Sequence, residues 1–274
     1  MNNDYINLIL KDISEKLNIK ITENDIVYYT DGASNSIVFN IFGKYLIKTV
    51  DDITLKSQNE FLKIYSNISN FQKIIFINEK LKYICFEYIE GTLFKNVQNI
   101  NNKELIKQIY QIVKAYKIYP SKYYGYLFED KKTWIEFLED EILSSSKNII
   151  GFDIPMDKIS SSIEILKEFN ITQRLIHGDF GAHNFLINNS MKLRVIDPMP
   201  VVGDYLYDFY FAIFSNLAIF KDLKISYILS FFKDESILKK KALLTIVLFI
   251  RMGRCFKYNK EDFNYYYNLY LSIK

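Results

Sequence analysis

The sequence predicts an α+β, bilobal chain: a small β-rich N-terminal lobe followed by a larger, mainly helical C-terminal lobe. Three observations carry that expectation. From Asp25 to Val50, and again from Lys73 to Gly91, the chain is dense in β-branched and aromatic residues punctuated by Gly32, Gly43 and Gly91, which is the composition of strands and tight turns. Beyond Gly91 the apolar residues recur mainly at helical spacing. And with 49% hydrophobic and 16% aromatic residues over 274 positions, the chain can bury a sizeable core and lies far from the balance of a disordered one. The expected boundaries are an N-lobe over residues 1-88, a connector over 89-92 and a C-lobe over 93-274.

Taken in order, Tyr5, Leu8, Ile9, Ile13 and Leu17 fall on one helical face. "DIVYYTDGASNSIVFNIFGKYLIKTV" reads as three antiparallel strands, and "LKSQNEFLKIYSNI" as a helix with Phe61, Ile64, Tyr65 and Ile68 inward. "KIIFINEKLKYICFEYIEG" gives two more strands across a turn at Asn78-Glu79-Lys80. In the second part, Leu105, Ile109, Ile112 and Tyr116 mark a helix. Trp134, Phe137, Leu138 and Ile142 mark another, starting at a Thr133 cap, and "DKISSSIEILKEF" a third. "GDYLYDFYFAIFSN" and two or three C-terminal helices complete the chain, with "ALLTIVLFI" as a buried helix.

Composition excludes several classes. A net charge of +3 without a long basic run implies no nucleic-acid partner. Lys239-Lys240-Lys241 is expected to be a solvated turn before a helix. The longest apolar stretch, Ala242 to Ile250, is about half the ~20 residues of a membrane span, and no membrane association is expected. Cys85 and Cys255 lie far apart in apolar surroundings, without the spacing of a zinc or redox site. The acidic, amphipathic N-terminus does not read as a signal peptide. A cytoplasmic protein with no obligate protein partner is the expectation.

The chemistry concentrates in "LIHGDFGAHNFLINNSMKLRVIDPMP", Leu175 to Pro200. Phe185-Leu186-Ile187 and Leu193-Arg194-Val195-Ile196 read as two antiparallel runs joined by a tight turn, which brings their outer ends together. Asn184 precedes the first run and Asp197 closes the second, so their oxygens converge. A hard divalent cation such as Mg²⁺ takes one or two such oxygens and otherwise keeps water or phosphate. Asp179, on the same loop, can reach a hydroxyl beside a metal-bound phosphate.

This constellation resembles the catalytic loop and metal-binding Asp of the protein-kinase signature. His177-Gly178-Asp179 stands where His-Arg-Asp is usual there, and Asp197 is followed by Pro198-Met199. Both departures resemble the aminoglycoside phosphotransferase family of small-molecule kinases, and "HGDFGAHN" with "VIDPMPVVGDYLYD" is especially similar to its streptomycin-type members. The resemblance implies the bilobal protein-kinase-like fold. It also implies Asp179 as the catalytic group, Asn184 and Asp197 as Mg²⁺ ligands, and ATP, with GTP as an alternative, as the phosphoryl donor. Lys48 in "KYLIKTV" would hold the α- and β-phosphates and Glu60 in "SQNEFLKIY" would orient that lysine. "CFEYIEG" looks like the adenine-binding hinge, with backbone contacts from Glu87 and Ile89 and Phe86 at the back of the pocket. Ser34, Asn35 and Ser36 in "TDGASNS" would contact phosphate oxygens through backbone N–H groups. His177 and Asp208 would support the catalytic loop; His183 is either exposed loop or a substrate or phosphate contact. Asp204 reads as a helix N-terminal carboxylate.

The acceptor implied is a small-molecule hydroxyl, an aminoglycoside first. Choline, ethanolamine, a sugar or homoserine are the alternatives, and a nucleotide-binding pseudokinase or regulatory module the reading of another class. Glu136, Glu139, Asp140, Glu141, Glu261 and Asp262 could meet a polycation or form ordinary solvated helix faces. The short span from Asp197 to "GDYLYD" leaves no room for the activation segment of a protein kinase.

Overall fold

A computed structural model describes residues 3–29, 36–129, 133–149, 151–258 and 260–273. The chain divides into two compact units, Met1–Glu90 and Gly91–Lys274.

The first unit is a five-stranded antiparallel sheet with helices. Helix α1 (Asn3–Leu17) leads into β1 (Ile26–Tyr29), β2 (Val38–Ile41) and β3 (Tyr45–Thr49). Helix α2 (Asp52–Ile64) follows, then β4 (Ile74–Asn78) and β5 (Tyr83–Glu87); the strand order is β1-β2-β3-β5-β4. Period-2 alternation decides which side of the sheet is covered. Phe39, Ile47 and Cys85 form one cross-strand row, and with Ile41 and Tyr83 they bury against Ile9 and Ile13 of α1. Lys48 is one residue off that row, so it projects from the opposite face, in register with Val38 and Ile84. Helix α2 starts one turn earlier than its apolar pattern suggests, because Asp51 caps it by accepting from the Thr54 N–H at 2.8 Å.

The second unit is mainly helical and carries two small sheets. In order it contains β6 (Thr92–Leu93), α3 (Asn102–Lys114), β7 (Gly125–Tyr126), α4 (Trp134–Ser146), α5 (Asp157–Lys167), β8 (Arg174–Ile176), β9 (Phe185–Ile187), β10 (Leu193–Val195) and β11 (Val201–Gly203). Then come α6 (Tyr205–Ile213), α7 (Leu217–Phe220), α8 (Ile225–Leu229), α9 (Ile237–Tyr258) and α10 (Phe263–Ser272). Strands β10-β9-β6 form one sheet and β7-β11-β8 the other. Helix α9 is the centre of this unit: Leu243, Leu244, Ile246, Val247, Leu248 and Ile250 are fully buried, and α4, α5, α6 and α10 all pack on it. No helix among the described residues is long and apolar enough to cross a membrane.

The expected solvated turn at Lys239–Lys241 is corrected by the structure. These residues lie inside α9, and Lys239 and Lys240 are buried. Lys239 Nζ pairs with Asp204 and Glu235, each at 2.9 Å. Lys240 Nζ donates to the carbonyls of Leu229 (2.8 Å) and Phe231 (3.2 Å), at the end of α8. Long aliphatic stems let lysine cross an apolar layer when its ammonium finds such partners.

Candidate active site

Strand β8 delivers the catalytic-type loop and β11 lies antiparallel beside it, with Ile176 opposite Val201. The turn after β8 requires Gly178. Its φ is +79°, and a Cβ there would stand 1.9 Å from the Met199 carbonyl oxygen. The loop is pinned from below by Asp208 of α6, which is fully buried. Its Oδ2 accepts from the His177 N–H at 2.7 Å and from the Tyr116 hydroxyl at 2.8 Å, and its Oδ1 from the Gly178 N–H at 3.1 Å. Burial pushes the Asp208 carboxyl up to about 7, against those hydrogen bonds. The fully buried imidazole of His177 is pushed down to about 4 by burial and stays neutral. Its Nε2 lies 3.1 Å from the Ile196 carbonyl, and its own carbonyl accepts from the Met199 N–H at 2.9 Å. His177 therefore ties the Asp179 loop to the segment carrying Asp197.

The raised carboxyl of Asp208 has a consequence for stability. The folded state keeps a proton that the unfolded state releases between the ordinary aspartate value of 3.8 and about 7. Stability contributed by this group therefore falls as pH rises through that window. Thermal melts across it should show a wild-type midpoint that declines relative to that of Asp208→Asn, which lacks the titration; parallel curves would contradict this.

Asp179 and Asn184 come together. A 3-10 turn over Ala182–Asn184 folds the loop back, so that Asn184 Nδ2 donates to the Asp179 backbone oxygen at 2.9 Å and to its Oδ2 at 3.0 Å. The amide nitrogen is thereby committed to Asp179, and Asn184 Oδ1 is the atom of this side chain that could ligate a metal. The β9–β10 ladder then sets where Asp197 lies. Val195 pairs with Phe185, and one step further the Ile196 N–H donates to the Asn184 carbonyl at 3.0 Å. Asp197 is the next residue. It is half-buried and has φ +59°, a left-handed backbone that costs a non-glycine residue about 1–2 kcal/mol. One carboxylate, one carboxamide oxygen and phosphate oxygens suit Mg²⁺. Among the described residues no group of three or more His, Cys, Asp or Glu is placed to hold a metal ion.

The Asp179 carboxylate is crowded. His183 Nε2 lies 2.8 Å from its Oδ2, and Arg254 Nη1 of α9 lies 3.6 Å from its Oδ1. Burial opposes ionisation, but the hydrogen bond and charge of His183 and the charge of Arg254 outweigh it and hold Asp179 at about 2. The carboxylate is therefore ionised throughout the physiological range. Gly181 makes room for His183, since a Cβ on it would meet the imidazole Cε1 at 2.7 Å.

In the first unit, Lys48 on β3 and Glu60 on α2 are both half-buried. Phe86 is buried on β5, Glu87 is exposed at its end with its N–H donating to the Lys73 carbonyl, and Ile89 is buried. Ser34 and Asn35 lie outside the described residues; Ser36 is described, half-buried and without regular structure. Asp204 caps α6 by accepting from the Leu206 N–H at 2.9 Å.

The acidic stretch of α4 divides. Glu136 closes a capping box with Thr133, whose N–H it accepts at 2.8 Å. Glu139 and Asp140 are exposed. Glu141 reaches Arg254 Nη2 at 3.2 Å and receives the Tyr126 hydroxyl at 3.1 Å. The approach of Arg254 to Asp179 escaped the sequence reading. The available signal was a pair of arginines, Arg251 and Arg254, directly after the apolar run from Ala242 to Ile250 of the same helix. Ser215 also escaped it; its Oγ accepts from the Ala182 N–H at 2.8 Å and ties the loop to the end of α6.

No family model and no curated protein matches the chain by sequence. Solved structures do match by fold. A choline kinase from Streptococcus pneumoniae is 14% identical with a TM-score of 0.58, covering 97% of this chain and 96% of its own. A thermostable mutant of aminoglycoside phosphotransferase APH(4)-Ia, in ternary complex with ADP and hygromycin B, is 16% identical with a TM-score of 0.62, covering 97% of each chain. The ADP-bound aminoglycoside phosphotransferase APH(2'')-Ib is 15% identical with a TM-score of 0.55, covering 100% of this chain and 98% of its own. The chain has the kinase-like α+β fold that these structures share.

Proposed function

We propose that the chain transfers the γ-phosphoryl group of ATP, or of GTP, to a hydroxyl of a small molecule. The observation that carries this reading is the Asp179–Asn184 contact, 3.0 Å from Nδ2 to Oδ2. It commits the amide nitrogen to Asp179, so that Oδ1 would be the atom to meet a cation beside that carboxylate, and it lies one ladder step from Asp197. The shared fold supports the same reading, since the neighbours are named as kinases and phosphotransferases and two of the three carry ADP.

Asn184 Oδ1 and the Asp197 carboxylate would hold Mg²⁺, which would supply neutralisation of the charge developing on the phosphoryl group. Lys48 would hold the α- and β-phosphates and Glu60 would orient Lys48. The backbone of Glu87 and Ile89 would meet the base, with Phe86 behind it, and the backbone around Ser34, Asn35 and Ser36 would cover the phosphates. The acceptor oxygen forms its bond to the γ-phosphorus as the bond to the ADP oxygen breaks, and the hydroxyl proton passes to Asp179. With a pKa of about 2, Asp179 is a weak base. Its larger contribution is to accept a hydrogen bond from the hydroxyl and fix its line of attack, which suits a loose phosphoryl-transfer transition state.

An aminoglycoside is the finer reading of the acceptor. It is supported by the resemblance of "HGDFGAHN…VIDP" and by the exposed acids Glu139 and Asp140. Choline, a sugar or homoserine are the other hydroxyl acceptors of the same reaction. A panel of these compounds with Mg-ATP, followed by ADP release and by mass of the product, tests the proposal. ADP formed in step with one acceptor supports it, and ADP formed with none overturns it.

A further inference from the structure

We infer that Arg254 of α9 is a positioning residue for Asp179, fixing the orientation of its carboxylate through a guanidinium that Glu141 holds in place; this rests on the phosphotransfer reading above. The two Asp179 oxygens are treated differently. Oδ2 is shared by His183 at 2.8 Å and Asn184 at 3.0 Å, both from the same loop. Oδ1 faces Arg254 Nη1 at 3.6 Å, from a different element. A carboxylate held only on one oxygen can swing about its Cβ–Cγ bond; a cation on the other oxygen limits that rotation.

The guanidinium is itself fixed. Nη2 meets Glu141 Oε2 at 3.2 Å, and the group lies over the Phe211 ring with its carbon 4.5 Å from the centroid. Glu141 is held in turn by the Tyr126 hydroxyl. The two helices can come this close because α9 has Gly253 at the crossing, where a Cβ would lie 2.6 Å from the Cβ and carbonyl oxygen of Ser145 on α4. The planar guanidinium presents Nη1 to Asp179 and Nη2 to Glu141 in a fixed fork, a geometry that a lysine ammonium, a single point charge on a flexible stem, does not reproduce. The shorter contact is to Glu141, so the rival explanation is a bridge that merely joins α9 to α4. Such a bridge would affect stability and leave turnover per folded molecule unchanged.

The test uses the full chain with the acceptor found in the panel and compares wild type, D179N, R254Q, R254K, E141Q and the E141Q/R254Q double variant. A misplacement of reacting groups by about 1 Å costs up to ~10²-fold, so R254Q should lower kcat by roughly 10- to 10²-fold with KM for Mg-ATP within about twofold. R254K should fall between R254Q and wild type. E141Q should lower kcat less than R254Q does, and the double variant should be no slower than R254Q, because Glu141 acts through Arg254. Thermal melts report the folded fraction for each. If R254Q does not fold, R254K and E141Q carry the test, and wild-type kcat in both overturns the inference. It is overturned equally by wild-type kcat in R254Q alongside an inactive D179N, or by additive losses in the double variant. A wild-type chain inactive with every acceptor overturns the phosphotransfer reading and this inference with it.

Discussion

Replacing Asp179 by Asn lowers turnover by about 10²- to 10⁴-fold, the usual contribution of a positioned proton acceptor, while Mg-nucleotide affinity stays within about threefold, the change expected where uniform binding is untouched. Asn has the shape of Asp and can still face His183 and Asn184, so the loop should fold. What it loses is a carboxylate that is ionised at every working pH, being held at about 2; the amide oxygen accepts a hydrogen bond more weakly and cannot take the acceptor's proton. The nucleotide would be bound by other residues, Lys48, Asn184 and Asp197 among them. The measurement is steady-state kcat with the acceptor, beside nucleotide affinity by calorimetry. A variant that turns over at the wild-type rate would remove Asp179 from the chemistry. A variant that loses nucleotide binding in proportion would make it a binding residue.

Gly178→Ala is the second large effect, and it acts through the backbone. At φ +79° a side chain pays about 1–2 kcal/mol for the left-handed conformation. The added Cβ would also stand 1.9 Å from the Met199 carbonyl oxygen, an overlap that only a backbone shift can relieve, at about 1–3 kcal/mol. Together these predict a loss of roughly 2–5 kcal/mol in denaturant unfolding. Asp179 is the next residue, so any folded fraction should also turn over more slowly. Gly43 provides the control. Its φ is +62° but nothing lies within 4 Å of a Cβ there, so Gly43→Ala should cost only the conformational part, about 1–2 kcal/mol. Equal losses at the two glycines would show that the close approach to Met199 is unimportant.

What the sequence revealed depended on how local the cause was. Strands β1 to β5 and the larger helices were legible because period and turn residues are carried within each segment. The strands β6, β7 and β11 are two or three residues long, too short to show alternation. That Asp179 and Asn184 share one loop was legible, but the hydrogen bonds between them were not; the ladder step that sets Ile196 against Asn184, one residue before Asp197, was legible because one hairpin enforces it. Arg254 and Glu141 are separated by 113 residues, and only the packing of α9 on α4 brings them together. Lys239 and Lys240 misled for the same reason. Their partners, Asp204 and the carbonyls at the end of α8, are invisible from a run of three lysines, which by itself reads as a solvated turn. The phosphate-contact candidates Ser34 and Asn35 fall outside the described residues.

The central claim is that Asp179, Asn184 and Asp197 converge on the terminal phosphoryl group of a bound nucleotide. The most direct measurement is a crystal structure of the chain with Mg²⁺ and a non-hydrolysable ATP analogue. The account predicts a metal ion at about 2.0–2.1 Å from Asn184 Oδ1 and an Asp197 carboxylate oxygen, with the terminal phosphoryl group in front of the Asp179 carboxylate. A metal held by other residues, or a nucleotide whose terminal phosphoryl group lies away from Asp179, would contradict it.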